Sequence, residues 1–153
     1  MLAKPVDLFC RPAEWIPQLM NLQAETVSLP ATEENLTKAR IVASLGVRVT
    51  LDLSLGTIDW EALRELLVYA VYGRCSHAII EPFETMIEQP PPQQEALNER
   101  FINRDSCINC PGWRACYGEW KEQCTSQCRD FFTEIIDARL YRQKQPGGAV
   151  CRP

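Results

Sequence analysis

The sequence lacks the features that mark membrane, secreted and nucleic-acid-binding proteins. No apolar run approaches the ~20 residues that a membrane span requires. The first residues, Met1–Pro5, lead into mixed sequence and not into the apolar segment of a signal peptide. The net charge is −4 and the basic residues form no long run, which disfavours nucleic acid as a partner. These absences predict a cytoplasmic protein, whose thiols are kept reduced.

The common enzyme signatures are also missing. The chain has no G-x-G-x-x-G, no phosphate-binding P-loop, no G-x-S-x-G and no H-E-x-x-H. Its one histidine, His77, opens a predicted strand, and we interpret it as a packing residue. The sequence therefore favours a binding or accessory protein over a self-sufficient enzyme.

Predicted strands and helices alternate in the first part of the chain, and this alternation predicts an α/β fold. Such βαβ units form parallel sheets with right-handed crossovers. Four strands would make part of a (β/α) barrel or a small open sheet. The predicted strands are Val6–Phe9, Thr26–Leu29, Val47–Leu53 and His77–Ile80, and the predicted helices are Glu14–Leu22, one from the N-cap Thr32 to Gly46, and one from the N-cap Asp59 to Gly73.

Composition divides the chain into four parts. Residues 1–88 are predicted to form the partial (β/α) barrel-like domain. Residues 89–104 form a linker, in which Pro90–Pro92 is a stiff spacer before a short helix. Residues 105–145 form a cysteine-rich module with a C-terminal helix, and residues 146–153 form a flexible tail. The apolar face expected on that helix consists of Phe131, Phe132, Ile135, Ile136 and Leu140.

The most informative segment contains five of the eight cysteines. The first two form a C-x2-C clip, whose sulfurs can converge on one centre. Four thiolates suit either a [4Fe–4S] cluster or a structural zinc ion. We expect Trp113 and Trp120 to shield this centre from water. The candidate ligands are Cys107, Cys110 and Cys116, with the fourth thiolate from Cys124 or Cys128.

The pattern C-x2-C-x5-C, followed by Gly118, resembles the SPASM domain, the auxiliary cluster module of radical S-adenosylmethionine (SAM) peptide maturases. The next cysteine of the family pattern is replaced here by Trp120. The resemblance therefore implies a single [4Fe–4S] cluster instead of two. The ligands that it implies are Cys107, Cys110, Cys116 and Cys128, with Cys124 as the alternative fourth ligand.

The same resemblance implies a function and partners. The chain looks most like the stand-alone SPASM-domain proteins of GeoRSP-type systems, which accompany a complete maturase. It lacks the catalytic C-x3-C-x2-C motif, since Phe131 stands where Cys124-x3-Cys128 would require a third cysteine. The implied role is an accessory that assists peptide maturation by docking a partner or relaying an electron. The partner would be the maturase, the precursor peptide, or both.

Two other interpretations stay open. A zinc-stabilised interaction module would use Cys107, Cys110, Cys124 and Cys128, and would leave Cys116 without a role. A small enzyme would instead use carboxylates at or near the carboxyl ends of predicted strands, where α/β folds place ligand-binding groups. Those carboxylates are Asp52 and Glu81, for which we favour a solvated or capping role.

Overall fold

The computed structural model describes residues 26–54, 57–73, 78–102, 107 and 109–145. The predicted strand Val6–Phe9, the predicted helix Glu14–Leu22, His77 and the tail 146–153 lie outside these residues. The described elements, in chain order, are β1 (Thr26–Pro30), α1 (Glu33–Ser44), β2 (Arg48–Asp52), α2 (Trp60–Tyr72), β3 (Ile80–Glu81), α3 (Phe83–Glu88), α4 (Gln94–Ile102), α5 (Trp113–Cys116), a 3-10 turn (Lys121–Gln123) and α6 (Ser126–Lys144).

The three described strands form one parallel sheet in the order β1-β2-β3, which confirms the predicted α/β class. Apolar residues alternate along β1 and β2, so that one face of the sheet is buried and the other carries polar side chains. The last strand spans Ile80–Glu81, and Ala78 and Ile79, which had been predicted to belong to it, lie before it. Before it, the Ala78 N–H donates to the carbonyl of Ala43 in α1, 2.9 Å away.

Local chemistry sets the bounds of the two crossover helices. Asp59 caps α2, because its carboxylate accepts a hydrogen bond from the Ala62 N–H at 3.0 Å. Thr32 occupies the N-cap position of α1, as predicted, but its side chain makes no capping hydrogen bond. Gly46 follows α1 with φ +85°, a left-handed conformation that glycine adopts without steric cost.

The C-terminal helix α6 packs against α2 and α3. Phe131, Phe132 and Ile135 belong to the same buried cluster as the residues of the sheet and the crossover helices. The prediction that Leu140 belongs to this face is wrong, because this residue is 49% exposed. The buried face instead continues through Ala138, which lies three residues after Ile135 at helical spacing.

Two arginines of α6 fasten this helix to α3. Arg139 donates three hydrogen bonds to main-chain carbonyls, two in α3 and one in α5, over 2.6–3.1 Å. Arg142 forms a two-pronged ion pair with Glu84, with nitrogen–oxygen distances of 2.6 and 2.7 Å. The described residues of the predicted first domain and of the cysteine-rich module therefore share contacts, while the predicted domain boundaries stay a prediction. Within the described residues, no helix is both long and apolar enough to span a membrane.

Candidate metal centre

The cysteine segment lies near the carboxyl ends of the strands. Trp60 is the first residue of the helix that follows β2, and Phe83 is the first residue of the helix that follows β3. Both rings contact Phe131 of α6, with ring centroids 5.5 Å and 6.2 Å apart. The first turns of α6, which carry Cys128, are thus held at the edge where parallel α/β sheets gather ligand-binding groups.

The predicted C-x2-C clip is a hydrogen-bonded turn. The Cys110 N–H donates to the Cys107 carbonyl at 3.1 Å, and the Trp113 N–H donates to the Cys110 carbonyl at the same distance. Cys107 is buried and Cys110 is half-buried. The turn therefore holds both thiols within one short loop, one on its protected side and one closer to solvent.

Gly112 lets this loop lie directly on the final helix. A Cβ atom placed on Gly112 would lie 2.7 Å from the Phe132 Cβ and 3.1 Å from the Arg129 carbonyl oxygen. Neither atom is the far end of a flexible side chain, so a larger residue would have to displace the loop. The glycine is required by this close approach.

Cys116 ends α5 and is followed by two residues with positive φ, Tyr117 at 50° and Gly118 at 74°. A helical residue followed by a left-handed one turns successive amides inward, a conformation that forms anion-binding sites. Burial is the largest influence on the Cys116 thiol and raises its pKa, while hydrogen bonds from the backbones of Trp120, Gly118 and Glu119 oppose that rise. These backbone groups would stabilise a thiolate there.

Cys128 lies in the first turn of α6, where the Thr125 hydroxyl caps the helix by accepting from the Cys128 N–H at 3.2 Å. Its side chain is 2% exposed. Burial first, and then the neighbouring thiols of Cys116, Cys124 and Cys110, raise the pKa of Cys128 to about 12. The free thiol is therefore protonated at neutral pH, and a metal that binds it must displace that proton.

The fifth thiol, Cys124, is exposed. It accepts a hydrogen bond from the Arg129 side chain, and this contact is the largest cause of the raised pKa of Arg129. As thiolates, Cys110 and Cys107 would also favour this cation. Arg129 thus places a cation among the thiols, a contact that the sequence pattern did not reveal.

The structure gathers the five thiols without arranging them as ligands of one ion. Each interacts electrostatically with at least one other thiol or with Arg129. Even so, in the part of the chain that the structure describes, no group of three or more His, Cys, Asp or Glu residues is placed so as to hold a metal ion. The fit to a metal centre therefore rests on donor chemistry: several cysteine sulfurs and inward-pointing amides in a partly buried loop.

The carboxylates near the strand ends have local roles. Asp52 accepts from the Ser54 hydroxyl at 2.6 Å and from the Ser54 N–H at 2.8 Å, and these bonds lower its pKa. Glu81 accepts from the Thr85 hydroxyl at 2.9 Å. Each carboxylate is thus paired with a residue two to four positions along the chain, which agrees with the capping role favoured from the sequence.

One further residue supports the site and was missed in the sequence. Arg139 donates to the carbonyl of Arg114, two residues before Cys116, while its other bonds reach Met86 and Ile87 of α3. Its spacing of four residues after Ile135 places it beside the buried face of α6, and this was the available signal.

Comparisons with models of known protein families, with curated proteins and with solved structures find no match to this chain.

Proposed function

We propose that the protein binds a single [4Fe–4S] cluster through Cys107, Cys110, Cys116 and Cys128. In this proposal it acts in the cytoplasm as an accessory of a radical SAM peptide-maturation system. The observation that carries the proposal is the surroundings of Cys116, a half-buried thiol that lies beside other thiols and whose pKa the backbones of Trp120, Gly118 and Glu119 lower against the effect of burial. Hydrogen bonds to the sulfurs are among the factors that set cluster potentials.

The same observation favours a cluster over zinc. The zinc interpretation omits Cys116, whose pKa the surrounding backbone lowers against the effect of burial, and uses Cys124, which is exposed and bonded to Arg129. Both ligand sets contain the two buried thiols, Cys107 and Cys128, but the cluster set takes the half-buried Cys116 where the zinc set takes the exposed Cys124. In both sets Cys128 lies in the first turn of α6, whose positive end offsets part of the burial that raises the pKa of this thiol.

A bound cluster of this kind supplies one-electron transfer. With four protein thiolates, every iron is ligated and none is left open to bind SAM. The function proposed for the chain is therefore to relay an electron or to dock a partner, and the partner would be a maturase or its precursor peptide. The missing C-x3-C-x2-C motif supports an accessory role, because that motif holds the SAM-cleaving cluster in the family.

The ligand set is tested by reconstituting the purified chain with iron and sulfide without oxygen. We expect a brown protein with about four iron and four sulfide per chain. Cys107→Ala, Cys110→Ala, Cys116→Ala and Cys128→Ala should each strip the cluster. Cys124→Ala is the matched control and should retain it. A colourless protein that binds only zinc would overturn the proposal, and loss of iron in Cys124→Ala with retention in Cys128→Ala would reassign the fourth ligand.

The accessory role needs a separate test. The reconstituted chain is incubated with SAM and dithionite, alone and with the maturase and precursor peptide encoded nearest to its gene. We expect no 5′-deoxyadenosine from the chain alone, and more modified peptide when it is added to the maturase. Formation of 5′-deoxyadenosine by the chain alone, or peptide modification that is indifferent to the chain, contradicts the proposed role.

A further inference from the structure

A groove along the outer side of α1 and α2 is separate from the cysteine segment. Its volume is about 530 Å³, and its lining includes Arg40 of α1 together with Arg64, Val68, Tyr69 and Tyr72 of α2. This volume lies within the usual range of ligand sites, roughly 300–1,000 Å³. None of the lining residues that the structure describes is a cysteine, so a ligand that they hold would not depend on the proposed cluster.

The groove combines cationic and apolar groups. The Arg40 guanidinium lies 4.5 Å from the centroid of the Tyr69 ring, and the Val68 side chain is 39% exposed. Glu65 also contributes to the lining, so two arginines face one carboxylate. Neither Arg40 nor Arg64 forms an ion pair with a carboxylate among the described residues. Arginine recognises carboxylates with two parallel hydrogen bonds and stacks on aromatic rings.

The dimensions suit a short stretch of extended chain. Arg64 and Tyr72 are eight residues apart in α2, and at 1.5 Å per residue the groove runs for about 12 Å. An extended peptide covers about 3.3–3.6 Å per residue, so about four residues would fit along it. Two arginines and one carboxylate line the groove, so its local charge complements an acidic segment.

We propose that this groove binds a short acidic segment of a partner protein. A carboxylate of the segment pairs with Arg40 and Arg64, while an adjacent apolar side chain packs on Val68 and Tyr69. The Tyr72 hydroxyl is engaged with Glu134 on α6, so this ring borders the groove as an apolar surface. This inference goes beyond the proposed function and does not rest on it.

The test measures fluorescence anisotropy of a fluorescein-labelled tetrapeptide, acetyl-Glu-Leu-Phe-Glu, with the full chain. A second peptide replaces both glutamates by glutamine. We expect saturable binding of the acidic peptide, at least about tenfold weaker binding of the glutamine peptide, and a similar loss in Arg40→Gln and Arg64→Gln. Arg48→Gln is the matched control, since Arg48 is exposed on β2 outside the groove.

Circular dichroism of each variant checks that the fold is retained. The acidic peptide should bind equally well with and without iron and sulfide, so a failure of cluster loading leaves this test unchanged. Equal binding of the two peptides, a loss in Arg48→Gln as large as in Arg64→Gln, or the absence of saturable binding would each overturn the inference.

Discussion

At the scale of single residues, the cysteine segment depends as much on backbone conformation as on thiols. Tyr117 and Gly118 direct amides toward Cys116, and Gly112 lets the loop reach α6. The spacing of the cysteines could be read from the sequence. The need for a small residue at Gly112 could not, because it arises from contact with Phe132, twenty residues later.

Gly112→Ala should destabilise the protein by about 1–3 kcal/mol, the usual cost of an extra methyl group in a packed interior. The added Cβ would lie 2.7 Å from the Phe132 Cβ, so the loop or the helix must shift. The free energy of unfolding is measured by urea denaturation. Gly46→Asn is the control, because a Cβ at Gly46 meets no atom within 4 Å and asparagine tolerates positive φ. A Gly112→Ala variant as stable as the wild type would show that this contact is not tight.

At the scale of elements, α6 connects the parts of the fold. Its first turn carries Cys128, its middle fills the core, and its end contacts α2 through Tyr141 and Tyr72, whose ring centroids are 4.8 Å apart. Trp60, at the start of α2, contacts Phe131 near the start of α6. Contacts that join start to start and end to end show that the two helices run in the same direction.

The Tyr72 hydroxyl should make the contact between α2 and α6 sensitive to alkaline pH. Burial, followed by the charge and the hydrogen bond of Glu134, raises the pKa of Tyr72 from 10.0 to about 12. The folded state therefore holds this proton more tightly than the unfolded state. Its stabilising contribution is complete below pH 10 and is lost as the pH rises to about 12.

Tyr72→Phe removes that contribution and should be less stable than the wild type by about 1 kcal/mol near neutral pH. The difference in the free energy of unfolding should narrow between pH 10 and about 12. Glu134→Gln and the double variant complete the cycle. Because the double variant also lacks the Tyr72 hydroxyl, the difference between its free energy of unfolding and that of Tyr72→Phe should not change over this pH range. A difference that stays constant over this window would contradict the proposed pairing.

Arg139 and Arg142 offer a matched pair of substitutions on α6. Arg139→Met leaves three main-chain carbonyls, those of Met86, Ile87 and Arg114, without their donor, and we expect a loss of about 2–3 kcal/mol. Arg142→Met breaks only the partly exposed pair with Glu84, which should cost at most about 1 kcal/mol. Thermal unfolding measures both. An equal loss of stability in the two variants would mean that Arg139 does not stabilise α6 more than Arg142 does.

The elements differed in how far the sequence could predict them. The strands of the sheet and the helices α1 and α2 have regular apolar spacing, and their ends carry local signals such as Asp59 and Gly46. Helix α3 was missed, because its six residues are too few for a periodic pattern and only Phe83 and Ile87 are buried. Leu140 matched the apolar pattern of α6, yet it is 49% exposed and no element among the described residues covers it. Such tertiary contacts are not encoded in local spacing.

At the scale of the whole molecule, the sheet and the cysteine segment share one core. Trp120 of the cysteine segment contacts Trp60 of α2 edge to face, with ring centroids 5.5 Å apart, and Trp60 also contacts Phe132 of α6. Trp120 therefore packs against the core from the cysteine side, while Trp113 packs on Tyr117 within the segment. Ordering of the cysteine loop should therefore also stabilise α2 and α6, which Trp120 contacts through Trp60.

Loading the proposed cluster should stabilise α2 and α6 as well as the cysteine segment. A ligand that binds only the folded state raises its stability, and cooperative contacts spread that gain. The measurement is amide hydrogen exchange by mass spectrometry, with and without iron and sulfide, in the absence of oxygen. We expect slower exchange in residues 107–128, in the first turn of α2 at Trp60 and along α6. Cys116→Ala, which lacks a proposed ligand, should show no such change. Slower exchange confined to residues 107–125 would show that the cysteine segment is ordered independently of the sheet, despite the contact between Trp60 and Trp120.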